Sequence, residues 1–255
     1  MSATPRLHVA PDLGVGQTIT IDGDQAHYLS RVMRLAPGDA VRVFNGRDGE
    51  FAASIAQSTK STVQLAIGDQ TRSQAKAPDL WLLFAPLKKD RTDFLVEKAV
   101  ELGVAEIRPV ITERTNADTV RVDRLGKIAV EAAEQTERLD VSPVREAQKL
   151  WSALDGWDAR RSLIYADEAG DDAGRPWGGE AGKARPLEAV LRELGDGPAA
   201  ILIGPEGGFS PAERSRLRGL PFVKPVGLGP RILRAETAAV AALAIWQAIR
   251  GDWRG

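Results

Sequence analysis

Two arginines three residues apart, Arg231 and Arg234, lie in Gly229-Pro230-Arg231-Ile232-Leu233-Arg234, directly before the small and apolar run Ala235 to Ile249. A guanidinium is always charged, so beside a buried helix it needs a carboxylate partner or an external anion. Glu236 is the internal carboxylate at hand. A substrate oxygen or phosphate is the external alternative, and Thr237 adds a hydroxyl on the helical face that Arg234 shares. A second loop, Gly204-Pro205-Glu206-Gly207-Gly208, follows the apolar run Ala199 to Ile203. Its glycines permit close backbone approach to a ligand. Ser210-Pro211-Ala212-Glu213 then reads as a capping box with proline at the first helical position. The loop carries neither the dinucleotide fingerprint nor a P-loop lysine, and Glu206 would repel phosphate. Its expected ligand therefore carries hydroxyls or an amino group; taken alone, the loop could equally be a tight strand-to-helix turn.

A third cluster, Lys88-Lys89-Asp90-Arg91, opens a helix. A solvated helix start is the ordinary reading of such a charge run, but cations do not complement a helix N-terminus, so an external anion such as RNA phosphate explains them better. Glu206 and Glu236 are weak candidates for a general base. His8 and His27 are the two histidines and there is no cysteine. Disulfides, thiolate metal sites, a cysteine nucleophile and a Ser/His/Asp arrangement are thereby excluded, and no metal is expected. The net charge is −1, so any nucleic-acid binding must come from local patches.

The elements that must hold these groups fall into two parts. Up to about Ile67 the runs Leu7 to Val9, Thr18 to Ile21, Ala40 to Phe44, Phe51 to Ile55 and Thr62 to Ile67 alternate with Gly, Asn and Asp turns, which predicts a small β-barrel. Within it Ala26 to Leu35 reads as one helix, with Leu29, Val32, Met33 and Ala36 at helical spacing. The polar stretch Gly68 to Pro78 reads as a linker. Beyond it, strands Leu80 to Ala85, Glu106 to Ile111, Ser162 to Ala166, Ala199 to Ile203 and Phe222 to Val226 alternate with helices. Those helices are Arg91 to Leu102, one capped by Asp123, Leu187 to Leu194 and Ala235 to Ile249. Strict alternation predicts an α/β parallel sheet with crossovers. Glu168 to Arg185 reads as an exposed mobile loop without chemistry. The domains are expected at 1–72 and 76–255. The N-terminus lacks a signal-peptide core and no apolar run approaches the roughly 20 residues of a membrane helix, so a cytoplasmic protein without membrane contact is expected.

Leu202-Ile203-Gly204-Pro205-Glu206-Gly207-Gly208-Phe209-Ser210 with Leu228-Gly229-Pro230-Arg231-Ile232-Leu233-Arg234-Ala235-Glu236-Thr237-Ala238 resembles the RsmE family. These are SPOUT-superfamily enzymes that methylate N3 of a uridine in 16S ribosomal RNA. Supporting matches run the length of the chain. They are His27 to Leu35 with Gly38-Asp39; Lys88 to Arg91; Glu97-Lys98 with Glu101-Leu102-Gly103; Pro109 with Thr112-Glu113-Arg114; and Glu131 to Gln135. The resemblance implies a PUA-like RNA-binding barrel, then a SPOUT-type parallel sheet with a C-terminal trefoil knot, and a homodimer acting on the small ribosomal subunit. It implies S-adenosylmethionine held by Ile203, Gly204, Pro205, Glu206, Gly208, Leu228, Gly229, Ile232, Leu233 and Thr237. Arg234 then steadies the uridine anion and Arg231 holds the loop or the RNA. RNA contacts are expected from Arg6, His27, Arg31, Arg34, Lys88, Lys89, Arg91 and Arg138. The chain departs from the family's Glu-Gln-Ser-Gly-Arg at Thr136 and Glu137, and has Asp140 and Ser142 where a basic residue and a Val-Pro usually follow. Two rivals are a ribosome-assembly factor that has lost catalysis and a SPOUT enzyme acting on another RNA. The intact loop residues disfavour the first; the PUA-like start and the Arg231-to-Arg234 motif disfavour the second.

Overall fold

A computed structural model describes residues 4–116, 119–167 and 184–254. The chain forms two compact units, one of residues 1–76 with 133–141 and the other of 77–132 with 142–255.

The first unit holds β1 (Arg6–His8), β2 (Thr18–Asp22), α1 (Gly23–His27), β3 (Ala40–Phe44), β4 (Glu50–Ser58) and β5 (Thr62–Arg72). Its sheet runs β1-β3-β4-β5-β2, antiparallel except for β1 beside β3. β2 alternates exposed and buried residues, so Ile19 and Ile21 face a core shared with Leu7, Val43, Ile55 and Leu65. Register shifts between β4 and β5 curl the sheet around that core.

Two expectations change here. The single helix over Ala26 to Leu35 is instead α1 followed by a π-turn at Tyr28–Val32. Met33 N–H donates to Tyr28 O at 2.9 Å across the wider turn, and Arg34 at φ +55° ends the helical path. Leu29 is buried while Val32, expected on the inner face, is 60% exposed. The predicted linker from Gly68 is strand as far as Arg72, because Phe51 and Glu50 pair with Gln70 and Arg72 across β4 and β5. A partner's backbone can hold a strand whose side chains show no apolar period.

Arg6 requires a correction. It is 7% exposed, pairs with Glu50, donates to Ala133 O at 2.9 Å and to Arg138 O, and stacks over Phe44 at 3.9 Å. Its guanidinium is engaged within the first unit, which leaves little of it for the RNA contact expected of it. Glu137 sits at φ +60°, the region glycine occupies without strain, which accounts physically for the glycine in the motif it replaces. Its carboxylate pairs with Arg42 at 3.0 Å and approaches Arg72 at 3.9 Å.

The second unit holds β6 (Leu80–Phe84), α2 (Lys89–Glu101), β7 (Glu106–Ile111), α3 (Val122–Gln135) as far as residue 132, β8 (Gln148–Lys149), α4 (Leu150–Leu154), β9 (Ser162–Ala166), β10 (Arg185–Pro186), α5 (Leu187–Glu193), β11 (Ala199–Ile203), α6 (Pro211–Arg218), β12 (Val223–Gly227) and α7 (Ala235–Ile249). Its sheet is parallel, in the order β10-β12-β9-β11-β6-β7-β8. β11 is buried at every residue, as a strand covered on both faces must be. α7 lies on β11 and against α2, while Phe209 and Leu217 pack with Leu202, Leu163 and Tyr165 in another cluster. α3 starts at Val122, so Asp123 lies in its first turn and is not its cap. Gly103 ends the α2 region at φ +78°, as its position implied. The loop expected from Glu168 to Arg185 lies outside the described residues over 168–183. Among the described residues no helix is long and apolar enough to cross a membrane.

Candidate functional site

In a parallel sheet all strands end on one edge, so the loops after β7, β9, β11 and β12 gather there. After β11 the chain turns at Gly204. A Cβ on this residue would stand 2.6 Å from Phe209 Cε2, so only glycine lets the Phe209 ring fold under the loop. Gly208 N–H closes the turn on Pro205 O at 2.8 Å, with Gly208 at φ +64°. The predicted capping box then forms. Ser210 Oγ accepts from Glu213 N–H at 3.1 Å, and Ser210 N–H donates to Glu213 Oε2 at 2.9 Å. Glu213 uses its second oxygen to accept Glu113 N–H at 2.9 Å, which ties the loop after β7 to the start of α6.

After β12 the chain passes Gly229 at φ +107° and reaches Arg234, the N-cap residue of α7, whose carbonyl accepts Ala238 N–H at 2.8 Å. A cavity of about 400 Å³ opens between the two loops. Its lining includes Ile203 to Phe209 from the first loop, Ile232 to Ala235 from the second, Ala238, and Arg114, Tyr165, Asp167 and Arg214. A neighbouring cavity of about 550 Å³ is lined by Gly227 to Leu233, Ala184 and Pro186, and shares Asp167, Ile232 and Leu233 with the first. Ile203, Gly204, Pro205, Glu206, Gly208, Ile232 and Leu233 thus meet around one space, and Leu228 and Gly229 around the adjoining one. Thr237 is exposed on the first turn of α7 and lines neither.

Arg231 and Arg234 are both exposed, against the expectation of guanidiniums beside a buried helix. The carboxylate expected to pair with them is engaged elsewhere. Arg91 Nε lies 3.7 Å from Glu236 Oε1, and Arg91 Nη1 lies 3.6 Å from Glu206 Oε1. Arg91, expected on the RNA, instead stands between two acids, one from the first loop and one from α7. Glu236 Oε2 is buried without a hydrogen-bond partner among the described residues. His27, Arg31 and Arg34 are exposed on the first unit, and Lys88 and Lys89 on the second. Lys88 and Lys89 line a further cavity of about 440 Å³ with Arg121 and Arg124. Arg138 is half-buried and bound to Asp140 at 2.9 Å.

Four polar residues of the cavity wall carry no site role in the sequence reading: Tyr165, Asp167, Arg214 and Arg114, the last of which stands in a motif that supports the family resemblance. Asp167 is 4% exposed and holds Arg214 and Arg218 at 2.9 and 2.8 Å. The Tyr165 hydroxyl is buried with no hydrogen-bond partner among the described residues. Burial first, then the charge of Asp167, pushes its phenol well above the ordinary range, so it stays a neutral donor; the charges of Arg214 and Arg218 act the other way. The position of Asp167 just past an apolar strand is a usable signal, but its arginines come from a helix 47 and 51 residues on. Among the described residues no group of three or more His, Asp or Glu side chains is placed to hold a metal.

Residues 74–247 match the RNA methyltransferase domain family, and residues 21–68 match the RNA methyltransferase PUA domain family. Ribosomal RNA small subunit methyltransferase E of Rickettsia conorii is 30% identical over 94% of this chain and 93% of its own length. The Bacillus subtilis protein of the same name is 30% identical over 92% of this chain and 93% of its own. Among solved structures, the Neisseria gonorrhoeae protein of that name, bound to S-adenosyl methionine, superposes with a TM-score of 0.82 at 29% identity, covering 98% of this chain and 99% of its own. A Legionella pneumophila protein in complex with the same cofactor superposes with a TM-score of 0.83 at 29% identity and the same coverage.

Proposed function

The chain belongs to the ribosomal RNA small subunit methyltransferase E family, and from that premise we propose that it methylates N3 of a uridine in 16S ribosomal RNA with S-adenosylmethionine as donor. The observation that carries this reading is the meeting of two strand-end loops around one cavity with Arg234 on its wall. The cavity's chemistry suits the donor. Ile203, Phe209, Ile232, Leu233 and Ala238 offer apolar walls for a flat heterocycle, while Glu206, which Arg91 approaches only to 3.6 Å, offers negative charge to an amine or a sulfonium. Backbone groups of 203–208 and 228–233 would hold the ribose and amino acid. When bound, the donor supplies an electrophilic methyl group.

The protein's own task is to make uridine N3 nucleophilic. That nitrogen carries a proton, and its loss spreads charge onto the flanking carbonyl oxygens. Arg234 is exposed, has no carboxylate partner among the described residues and is fixed at an N-cap, so it can receive that charge without first breaking an ion pair. Holding the base against the donor supplies much of the remaining acceleration. Arg231, on the same loop, steadies the loop or the RNA. His27, Arg31 and Arg34 on the first unit, and Lys88 and Lys89 on the second, are each exposed cations for flanking RNA, and the target base leaves its stack to enter the cavity.

The reading extends to residues 1–72 as the RNA-binding domain and 76–255 as the methyltransferase, a C-terminal trefoil knot, a homodimer on the small ribosomal subunit and a cytoplasmic setting. These follow from the family resemblance. The test is mass spectrometry of 16S RNA from a strain lacking the gene, before and after treatment with the pure protein and donor. A restored 3-methyluridine is the expected result; its absence overturns the proposal.

A further inference from the structure

The loop after β7 carries an arginine that several hydrogen bonds anchor and that meets no carboxylate among the described residues. Thr112 N–H donates to Thr115 Oγ1 at 2.9 Å, and the two hydroxyls meet at 2.9 Å, which fixes the turn. Glu213, 2% exposed, holds the next residue through the Glu113 N–H. Arg114 Nη1 then donates to Gly207 O at 2.9 Å, and its stem lies along Gly207, where an added Cβ would come within 3.6 Å. Only one guanidinium hydrogen bond is used in this way among the described residues, and the side chain is exposed on the wall of the 400 Å³ cavity.

Three guanidiniums line that cavity: Arg114, Arg214 and Arg234. Among the described residues only Arg214 meets a carboxylate, Asp167, while Glu206 faces Arg91. Like charges gathered in a concave site repel one another unless an anion joins them. The methyl donor does not remove the excess, because its one carboxylate is outnumbered by its sulfonium and its ammonium and it enters with a net positive charge. A strut to Gly207 does not explain it either, since one N–H holds that carbonyl and the rest of the guanidinium fork is left over among the described residues.

We propose that Arg114 is a second guanidinium of the substrate site, held by Gly207 to receive an anionic oxygen of the RNA: either a ring oxygen of the ionised target base or a neighbouring phosphate. This rests on the reading of the cavity as an RNA methyltransferase site. It assigns the Thr112-Glu113-Arg114 turn a direct contact with the substrate, with Glu213 as the positioning residue beneath it.

The experiment uses the full chain with Arg114→Ala and Arg114→Lys. Donor affinity is measured by calorimetry, RNA affinity by fluorescence anisotropy across a salt series, and single-turnover methyl transfer across pH. Arg114→Ala is expected to keep donor affinity within about threefold and to lose about tenfold or more in RNA affinity or in transfer rate, with Arg114→Lys recovering most of it. A phosphate contact lowers the slope of log affinity against log salt by about 1 and leaves the pH profile in place. A base contact leaves the slope, lowers the rate and lets alkaline pH restore part of it, because the base then ionises unaided. If donor affinity falls while RNA affinity and the rate at saturating donor stay at wild-type values, Arg114 is only a strut and the proposal is wrong; unchanged values throughout also overturn it. A wild-type protein that binds RNA but makes no methyluridine would sink the functional reading, yet the loss of salt slope in Arg114→Ala would still report the contact.

Discussion

Gly204→Ala probes whether the first loop depends on the ring folded beneath it. The added methyl would sit 2.6, 3.0 and 3.2 Å from Cε2, Cδ2 and Cζ of Phe209. To bring the closest contact out to 3.4 Å the ring must retreat by about 0.8 Å (3.4 minus 2.6). It has little room to do so. Phe209 is 7% exposed and meets Tyr165 edge to face, with centroids 5.0 Å apart at 84°. Tyr165 is in turn fully buried. Gly204 is not at positive φ, so the penalty is steric and not conformational. Overpacking of this kind costs about 1–3 kcal/mol. Phe209→Ala alone should cost about 3–5 kcal/mol by leaving a cavity. In the double variant the new methyl enters space the ring has vacated, so the pair should cost about 1–3 kcal/mol less than the two single losses together. Because the ring lines the cavity, Gly204→Ala should also weaken donor binding by about tenfold, or 1.4 kcal/mol. Urea unfolding followed by tryptophan fluorescence suits the measurement, since the described tryptophans, Trp81, Trp151, Trp157, Trp246 and Trp253, fall in the second unit. Additivity of the two losses within about 0.5 kcal/mol would refute the steric argument.

Arg234→Ala should lower single-turnover methyl transfer by about a hundredfold to a thousandfold while donor affinity stays within about threefold; wild-type transfer would remove its assigned role. In the first unit, burial works to raise the Glu50 carboxyl, but hydrogen bonds from Arg6 and Thr71 and the charges of Arg6 and Arg42 hold it below its ordinary 4.5. A carboxyl depressed on folding stabilises in its ionised form. That contribution is complete above pH 4.5 and is lost as pH falls through the lower native value. Glu50→Gln should therefore cost about 3 kcal/mol at neutral pH and much less in acid, as read by the midpoint of first-unit unfolding; an equal loss at both pH values would contradict the pairing. Glu137→Gly should be neutral or stabilising by up to about 1 kcal/mol, because relief of the positive φ offsets an exposed ion pair with Arg42; a loss above about 1 kcal/mol in denaturant unfolding would show that the pair matters more than the backbone.

What could be read along the chain is what neighbouring residues decide. The strand runs, the parallel alternation, the glycine stop at Gly103 and the Ser210–Glu213 capping box are all set within a few residues, and the structure contains each. The two glycine loops were also legible, since an apolar strand followed by glycines and a capped helix fixes a strand-end turn. The π-turn at Tyr28–Val32 was not, because a 3.6-residue period cannot register one wider turn. Nor was the extension of β5 through Gly68–Arg72, which depends on the strand beside it.

The fate of each charge lay beyond the sequence. Arg6 and Arg91 look like RNA ligands when judged by type and exposure expected from position. Folding gives Arg6 to Glu50, 44 residues away, and sets Arg91 between Glu206 and Glu236. The same process leaves Arg114, Arg231 and Arg234 without carboxylates among the described residues, although nothing local distinguishes them from Arg91. Helix, turn and capping preferences are short-range and repeat wherever the same residues recur. An ion pair forms only where the chain brings two distant side chains within a few ångströms, and burial then decides how strongly it holds. The sequence by itself therefore determined that two loops would stand at the ends of buried strands. Only the tertiary structure decided that they share one cavity, and which of its arginines remain uncommitted for a substrate.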